Sequence, residues 1–197
     1  MLFKSFSEKI NTTLGRLSPA RRIFLSFALV IFAGSLLLSL PFVQATSSQA
    51  TYFDHLFTAV SMVCVTGLFT QPVATTYNIW GQLICMFLIQ IGGLGLMTFI
   101  GVFYIQSKQK LSLRSRETIL ESFSYGETHS LMVFIRSIFL TTFIVEGLGA
   151  FLLSFRFVPE FGWGRGIFTS IFVAISAFCN AGFDNFGSTS LVAFQTD

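Results

Sequence analysis

The sequence predicts an all-α integral membrane protein made of span–pore-loop–span repeats, one complete and the second incomplete. Hydrophobic residues make up 53% of the 197 positions and charged residues only 11%, whereas a soluble domain carries about 25% charged residues. Apolar segments long enough to cross a bilayer recur along the chain. Residues 57–69 and 172–184 also align without a gap, at an offset of 115 positions (57 to 172), and share Phe, Ala, Ser, Cys and Gly.

The charge distribution argues against a nucleic-acid partner. The formal net charge is only +3. The basic residues gather in clusters outside the predicted spans, where membrane orientation explains them better than phosphate binding does. The partner that this composition predicts is the lipid bilayer.

Three segments are predicted to be transmembrane helices of about 20 residues each. The first covers residues 23–40 and stops at Pro41. The second covers residues 79–105, and the third covers residues 131–157 and stops before Pro159.

Two basic clusters fix the predicted orientation of the spans. By the positive-inside rule both clusters lie in the cytoplasm. This gives a multi-pass protein of the plasma (inner) membrane with a cytoplasmic N-terminus. The clusters are Lys4, Lys9, Arg16, Arg21 and Arg22 before the first span, and Lys108, Lys110, Arg114 and Arg116 after the second.

Residues 53–69 lie between these clusters and are predicted to enter the membrane from outside and return. A further crossing there would place the second cluster outside, against the charge rule. Non-helical backbone at membrane depth is tolerated only where it is buried in protein or lines a water-filled cavity. A re-entrant loop therefore indicates a cavity, and carbonyl groups exposed in that cavity favour a cation.

The residues that would meet this cation follow from helix physics. Asp54 can cap the helix that runs from Leu56 to Val63, because a carboxylate is favoured at the positive end of a helix. Beyond the helix, a glycine takes backbone angles forbidden to other residues, so consecutive carbonyls can face one axis. The predicted filter residues, acting mainly through backbone carbonyls, are Cys64, Val65, Thr66, Gly67 and Leu68 in the first loop and Cys179, Asn180, Ala181, Gly182 and Phe183 in the second.

Three segments carry a resemblance to a known family: residues 54–68, residues 89–98 (Ile-Gln-Ile-Gly-Gly-Leu-Gly-Leu-Met-Thr) and residues 178–183 (Phe-Cys-Asn-Ala-Gly-Phe). The chain resembles the amino-terminal half of a membrane subunit of the Ktr/Trk/HKT potassium-transporter superfamily, most closely the bacterial Ktr type. The resemblance covers about residues 21–187. It implies four span–pore-loop–span repeats around one potassium path, as in potassium channels. Glycine in the first loop goes with potassium selectivity in this superfamily and serine with sodium, so Gly67 and Gly182 both fit potassium.

The resemblance also implies a function and partners. The chain would be a pore-forming subunit for potassium uptake across the plasma membrane, with potassium bound only at the filter and no cofactor. Full-length subunits would form homodimers on a cytoplasmic ring of nucleotide-binding regulatory subunits, and coupling to sodium is left open. Two filter loops cannot encircle an ion, so we expect a carboxy-terminal half to be missing. The alternative is a truncated half, or an assembly subunit, that transports nothing without a partner half.

Glu146 is predicted to lie near mid-depth in the third span, where an acidic residue is a functional candidate. Two interpretations are open: a buried partner in another helix or a backbone hydrogen bond, and a direct influence on the ion. An intramembrane enzyme would need a catalytic pair or a metal cluster, and Glu146 is the only acidic residue in the three predicted spans. No enzymatic activity is therefore predicted. Gly92, Gly93 and Gly95 are expected to allow close helix packing or a bend.

These observations divide the chain into four parts. They are a cytoplasmic N-terminus (residues 1–22), a first repeat (23–105), a cytoplasmic loop (106–130) and a second repeat that ends before its last span (131–197). The cytoplasmic loop is partly amphipathic. It is either a helical hairpin on the membrane surface or a docking surface for the regulatory ring.

We expect single cysteines at Gln49, Gln109 and Glu160, in a background without the native thiols, to report the topology. A membrane-impermeant reagent should label the first and third positions in intact cells, because both lie outside, and should spare Gln109. Lysed cells control for the reactivity of each cysteine. Labelling of Gln109 in intact cells would contradict the re-entrant assignment.

Overall fold

The computed structural model describes residues 19–95, 128–187 and 190–194, and within these ranges the fold is helical. No described residue belongs to a β-strand, so the all-α prediction is confirmed. Most of the predicted cytoplasmic loop, residues 106–127, lies outside the described residues. The helices are α1 (Pro19–Leu38), α2 (Tyr52–Val63), α3 (Val73–Thr76), α4 (Ile79–Leu94), α5 (Thr128–Phe161) and α6 (Trp163–Phe178), with 3-10 turns at Pro41–Val43 and Ser190–Phe194.

The chain divides into two compact units. One comprises Met1–Leu29 and Leu96–Ser137, of which the start of α1 and the start of α5 are described. The other comprises Val30–Gly95 and Ile138–Asp197. This second unit contains both copies of the repeated segment.

α4 is the central helix of the second unit. It begins where the side-chain oxygen of Asn78 accepts hydrogen bonds from the N–H groups of Trp80 (2.9 Å) and Gly81 (3.2 Å), which is the usual role of an N-cap residue. The helix packs against both α2 and α6. Its buried residues are Gly81, Cys85, Met86, Leu88, Ile89 and Ile91.

α4 is shorter than the predicted second span. The helix ends at Leu94, where Gly95 takes a φ of +79°. A glycine reaches this region without the steric cost that a side chain would bring. The rest of the predicted span, residues 96–105, lies outside the described residues.

The end of α5 corrects the predicted end of the third span. We expected the helix to stop before Pro159, yet it runs to Phe161 with Pro159 inside it. Proline lacks an N–H group and its ring crowds the preceding turn, yet beyond it the N–H of Gly162 still donates to the carbonyl of Val158 at 2.9 Å. The helix ends because Gly162 takes a φ of +79°, a common C-terminal signal that the prediction overlooked.

The described helices vary in their ability to cross a membrane. One, Arg136–Phe161, is long and apolar enough by length and composition. Ile23–Leu38, Ile79–Leu94 and Trp163–Phe178 are apolar but shorter. Only 11% of the most apolar part of Arg136–Phe161 is buried within the protein, so most of its side chains are available to lipid or to further helices.

Candidate functional site

The two repeated segments end in loops with the same backbone path. Loop 1, residues 64–68, follows α2, and loop 2, residues 179–183, follows α6. In each loop the second and fourth residues take positive φ angles: +55° at Val65 and +74° at Gly67, against +53° at Asn180 and +70° at Gly182. These two loops consist of the ten residues that the sequence predicts as the filter.

Three N–H groups of each loop donate back to carbonyl oxygens of the helix that precedes it. In loop 1 the bonds run from Cys64 to the carbonyl of Val60 (2.8 Å), from Val65 to that of Met62 (3.3 Å) and from Thr66 to that of Ser61 (2.9 Å). In loop 2 the residues 115 positions later repeat these bonds at 3.0, 3.0 and 2.8 Å. These three backbone donors of each loop therefore face their own helix.

A buried serine hydroxyl holds one more N–H group in each loop. The N–H of Leu68 donates to Ser61 Oγ, and the N–H of Phe183 donates to Ser176 Oγ, both at 2.9 Å. The serines are 2% and 3% exposed. Sequence reasoning noted that a serine recurs in both copies but assigned it no role. The signal was a serine at the same place in both copies of the repeated segment, next to the end of each helix.

The carbonyl oxygens of the loops accept no hydrogen bond from the described residues. Among the described residues, no donor lies within hydrogen-bonding distance of a backbone carbonyl of residues 64–68 or 179–183. Cys64, Thr66, Leu68, Asn180 and Gly182 are exposed on the described structure. An exposed carbonyl oxygen with no donor can serve as a ligand for a cation.

The two loops meet at their glycines. A Cβ placed on Gly67 would lie 3.0 Å from the carbonyl oxygen of Ala181 and 3.4 Å from Gly182 Cα, and a Cβ placed on Gly182 would lie 3.2 Å from Gly67 Cα. The sequence predicts both glycines as filter residues, and the structure brings them together. Their contact requires both the positive φ angles and the absence of side chains.

Glycines of α4 let both loops approach this helix closely. A Cβ on Gly92 would lie 2.6 Å from the carbonyl oxygens of Met62 and Val63, at the end of α2. A Cβ on Gly93 would lie 2.5 Å from Cys179 Cβ, at the start of loop 2. These are the close helix contacts that the sequence led us to expect, and they set how near the loops can lie to α4.

Glu146 has a partner in another helix. Its Oε1 accepts a hydrogen bond from Gln90 Nε2 of α4 at 2.8 Å, and Glu146 is only 6% exposed. On its other side, Gln90 Oε1 lies 3.9 Å from the thiol of Cys179 in loop 2. Of the two interpretations that the sequence left open, this geometry matches the buried partner. Gln90 was missed because its partners are far away in the sequence.

Asp54 lies in the first turn of α2 and binds residues before α2 and after loop 1. Its carboxylate accepts hydrogen bonds from the N–H and the hydroxyl of Thr51, both at 2.7 Å, which forms a capping box. It also accepts one from the hydroxyl of Thr70, just beyond loop 1, at 2.7 Å. The bonds from Thr70 and Thr51 lower the pKa of Asp54 to about 2. The side chain is therefore charged at any physiological pH.

The second copy is anchored differently. The positions 115 residues after Asp54 and Thr70 are Thr169 and Asn185. Asn185 Nδ2 instead donates to the side-chain oxygen of Gln82 in α4 at 3.2 Å. The chain beyond loop 1 is thus tied to its own helix, and the chain beyond loop 2 is tied to α4.

Comparison with known proteins gives one family and several relatives. The family model described as "TrkH: Cation transport protein" matches residues 21–197. "Potassium/sodium uptake protein NtpJ" of Enterococcus hirae is 42% identical over 182 residues, which cover 92% of this chain and 40% of that protein. "Ktr system potassium uptake protein B" is 38% identical in Bacillus subtilis, covering 85% and 37%, and 37% identical in Vibrio alginolyticus, covering 90% and 38%. The chain spans about two fifths of the length of these curated relatives.

We expect Gly93→Ala to destabilise the protein, because the new Cβ has no room beside the Cβ and Cα of Cys179 (2.5 and 3.0 Å). Overpacking of this kind costs about 1–3 kcal/mol. The measurement is the midpoint of thermal unfolding in detergent.

Gly147→Ala is the matched control, since it lies inside α5 with no atom within 4 Å of its added Cβ. It should keep or raise the midpoint, because alanine favours a helix over glycine by about 1 kcal/mol. Equal midpoints for the two variants would show that Gly93 is not a packing constraint.

Proposed function

The chain belongs to the TrkH family of cation transport proteins, and from this premise we propose that it is the amino-terminal part of a potassium-permeation subunit. The family is one of membrane proteins and is not an enzyme family. In the proposal the chain crosses the plasma (inner) membrane several times, with a cytoplasmic N-terminus and with α2 and α6 entering from outside. Loops 1 and 2 supply part of the selectivity filter.

One observation carries this proposal: the two loops meet at Gly67 and Gly182 with the same backbone path, while their carbonyl oxygens accept no hydrogen bond from the described residues. A potassium filter needs rings of carbonyl oxygens that replace the water shed by the ion. Four of the five N–H groups in each loop donate to α2 or α6, so carbonyl oxygens are the main groups that the loops can offer to a ligand.

The direction of the two helices supports the same proposal. α2 and α6 both end at a loop, so the negative end of each helix dipole lies next to the residues proposed to bind the ion. Such an end carries roughly half an elementary charge and stabilises a nearby cation. The charged residue at the other end of α2, Asp54, lies on the side where a carboxylate is favoured.

Potassium is the proposed ion because glycine occupies the fourth position of both loops. The relatives' names mention potassium in each case and sodium in one. Sodium enters the proposal as a possible coupling ion only. The proposal includes no resident cofactor.

The proposed subunit needs further filter strands and partners. The described residues provide two loops, and a filter of this design uses about four. We propose that a carboxy-terminal half supplies the others, that full-length subunits form homodimers, and that a cytoplasmic nucleotide-binding ring regulates them. The names of two relatives describe a component of a Ktr system, which supports a partner for this chain as well.

We expect Gly67→Ser to lower the preference for potassium over sodium by about tenfold or more. The new side chain would sit at a φ of +74° and 3.0 Å from the carbonyl oxygen of Ala181, and backbone strain of this kind costs about 1–3 kcal/mol. The measurement is uptake of both ions in a bacterium that lacks its own potassium transport. The protein is a chimera in which this chain replaces the matching part of the Enterococcus hirae relative.

Gly162→Ser is the matched control for Gly67→Ser. Gly162 has a φ of +79°, but no atom lies within 4 Å of its added Cβ. It should bring backbone strain without contact with a loop, and so leave the preference unchanged. An unchanged preference in Gly67→Ser itself would remove this residue from the filter.

We expect the 197-residue chain to transport no potassium when it is reconstituted alone in liposomes, because two filter loops leave part of the ion's coordination unfilled. The chimera should transport potassium under the same conditions. Uptake by the isolated chain would favour a complete filter assembled from two copies. Inactivity of both proteins would favour the alternative of an assembly subunit.

A further inference from the structure

We propose that Ser61 and Ser176 are positioning residues for potassium selectivity, because each serine holds the chain on both sides of a filter glycine. This inference rests on the proposed function and extends it to two residues outside the loops. In each copy the serine carbonyl binds the residue before the glycine, and the serine hydroxyl binds the residue after it.

The bonds are the same in both copies. The carbonyl oxygen of Ser61 accepts from the N–H of Thr66 at 2.9 Å, and Ser61 Oγ accepts from the N–H of Leu68 at 2.9 Å. Gly67 lies between these two donors. In the second copy Ser176 accepts in the same way from the N–H groups of the residues on either side of Gly182, at 2.8 and 2.9 Å.

The glycines need such a restraint. Glycine reaches positive φ angles at no steric cost, but for the same reason it reaches many others. Two hydrogen bonds to one buried residue fix the peptide groups on both sides, and with them the directions of the carbonyl oxygens. Selectivity depends on the number and arrangement of those oxygens. Loss of one of these hydrogen bonds would therefore let the carbonyl oxygens beside the glycine change direction, and so change which ion is preferred.

The hydroxyls of Ser61 and Ser176 do not form the hydrogen bond that is usual for a serine inside a helix. A serine inside a helix commonly bonds back to a carbonyl of its own helix, as Ser170 does in α6 by donating to the carbonyl of Gly166 at 2.8 Å. Ser61 and Ser176 are equally buried, yet each accepts an N–H group from beyond the end of its helix. Recurrence in both copies makes this a property of the repeat.

Loop 2 gives the cleaner test. In loop 1 the hydroxyl of Thr66 lies 2.8 Å from Ser61 Oγ, and threonine can bond to a backbone N–H two residues on, here that of Leu68. It could replace part of a lost Ser61 bond. Loop 2 has Ala181 at this position and offers no such hydroxyl.

The test uses the chimera described above with three variants: Ser176→Ala, Ser176→Thr and Ser170→Ala. Two quantities are measured. One is the hydrogen exchange of residues 180–186 by mass spectrometry, which reports the bond itself. The other is the preference for potassium over sodium in uptake, which a general loss of folded protein would not change.

Ser176→Ala should speed exchange in this segment and lower the preference about fivefold, since a hydrogen bond contributes about 1 kcal/mol. Ser176→Thr keeps the hydroxyl and should restore both quantities. Ser170→Ala should leave the preference unchanged, even where it lowers stability. If Ser176→Thr inserts poorly, Ser61→Ala serves as a second test and should lower the preference by a smaller factor.

The two proposals fail in different ways. If the unmodified chimera takes up potassium and sodium equally, the proposed function is wrong whatever the exchange shows. If the unmodified chimera prefers potassium but Ser176→Ala keeps the same preference, the positioning role is wrong, with or without faster exchange. A preference lowered as much by Ser170→Ala would also overturn it.

Discussion

The structure depends on one constraint: backbone that leaves a helix must find new partners for its N–H groups. Loops 1 and 2 meet this constraint with the helices they follow. The carbonyls of residues 60–62 and 175–177, together with two serine hydroxyls, accept the loop donors. Among the described residues the loop carbonyl oxygens accept no hydrogen bond, and a loop that turns most of its donors toward its own helix presents a surface suited to a cation.

The positions of the loops depend on missing side chains. Gly67 and Gly182 let the loops touch, and Gly92 and Gly93 let α4 lie against the ends of both copies. Glycines at such contacts bring backbones closer than any other residue allows. The surface of α4 therefore fixes the positions of loops 1 and 2, because the ends of α2 and α6 pack directly against it.

The two copies share their local geometry but differ in their anchors. Asp54 ties the chain beyond loop 1 to the start of α2, whereas Asn185 ties the chain beyond loop 2 to α4. Loop 2 also has a neighbour in Gln90, which is bonded to Glu146 of α5. A single polypeptide can give each loop its own supports, which a ring of identical chains cannot do.

The sequence by itself determined the helical class, the family and the local form of the loops, because these depend on composition and on short-range patterns. A glycine at the fourth position and a serine seven residues before the end of each loop produce the same turn twice. Only the tertiary structure decided that Gly67 meets Gly182, that Gly93 meets Cys179 and that Gln90 joins Glu146. These pairs depend on how the helices pack, which periodicity does not encode.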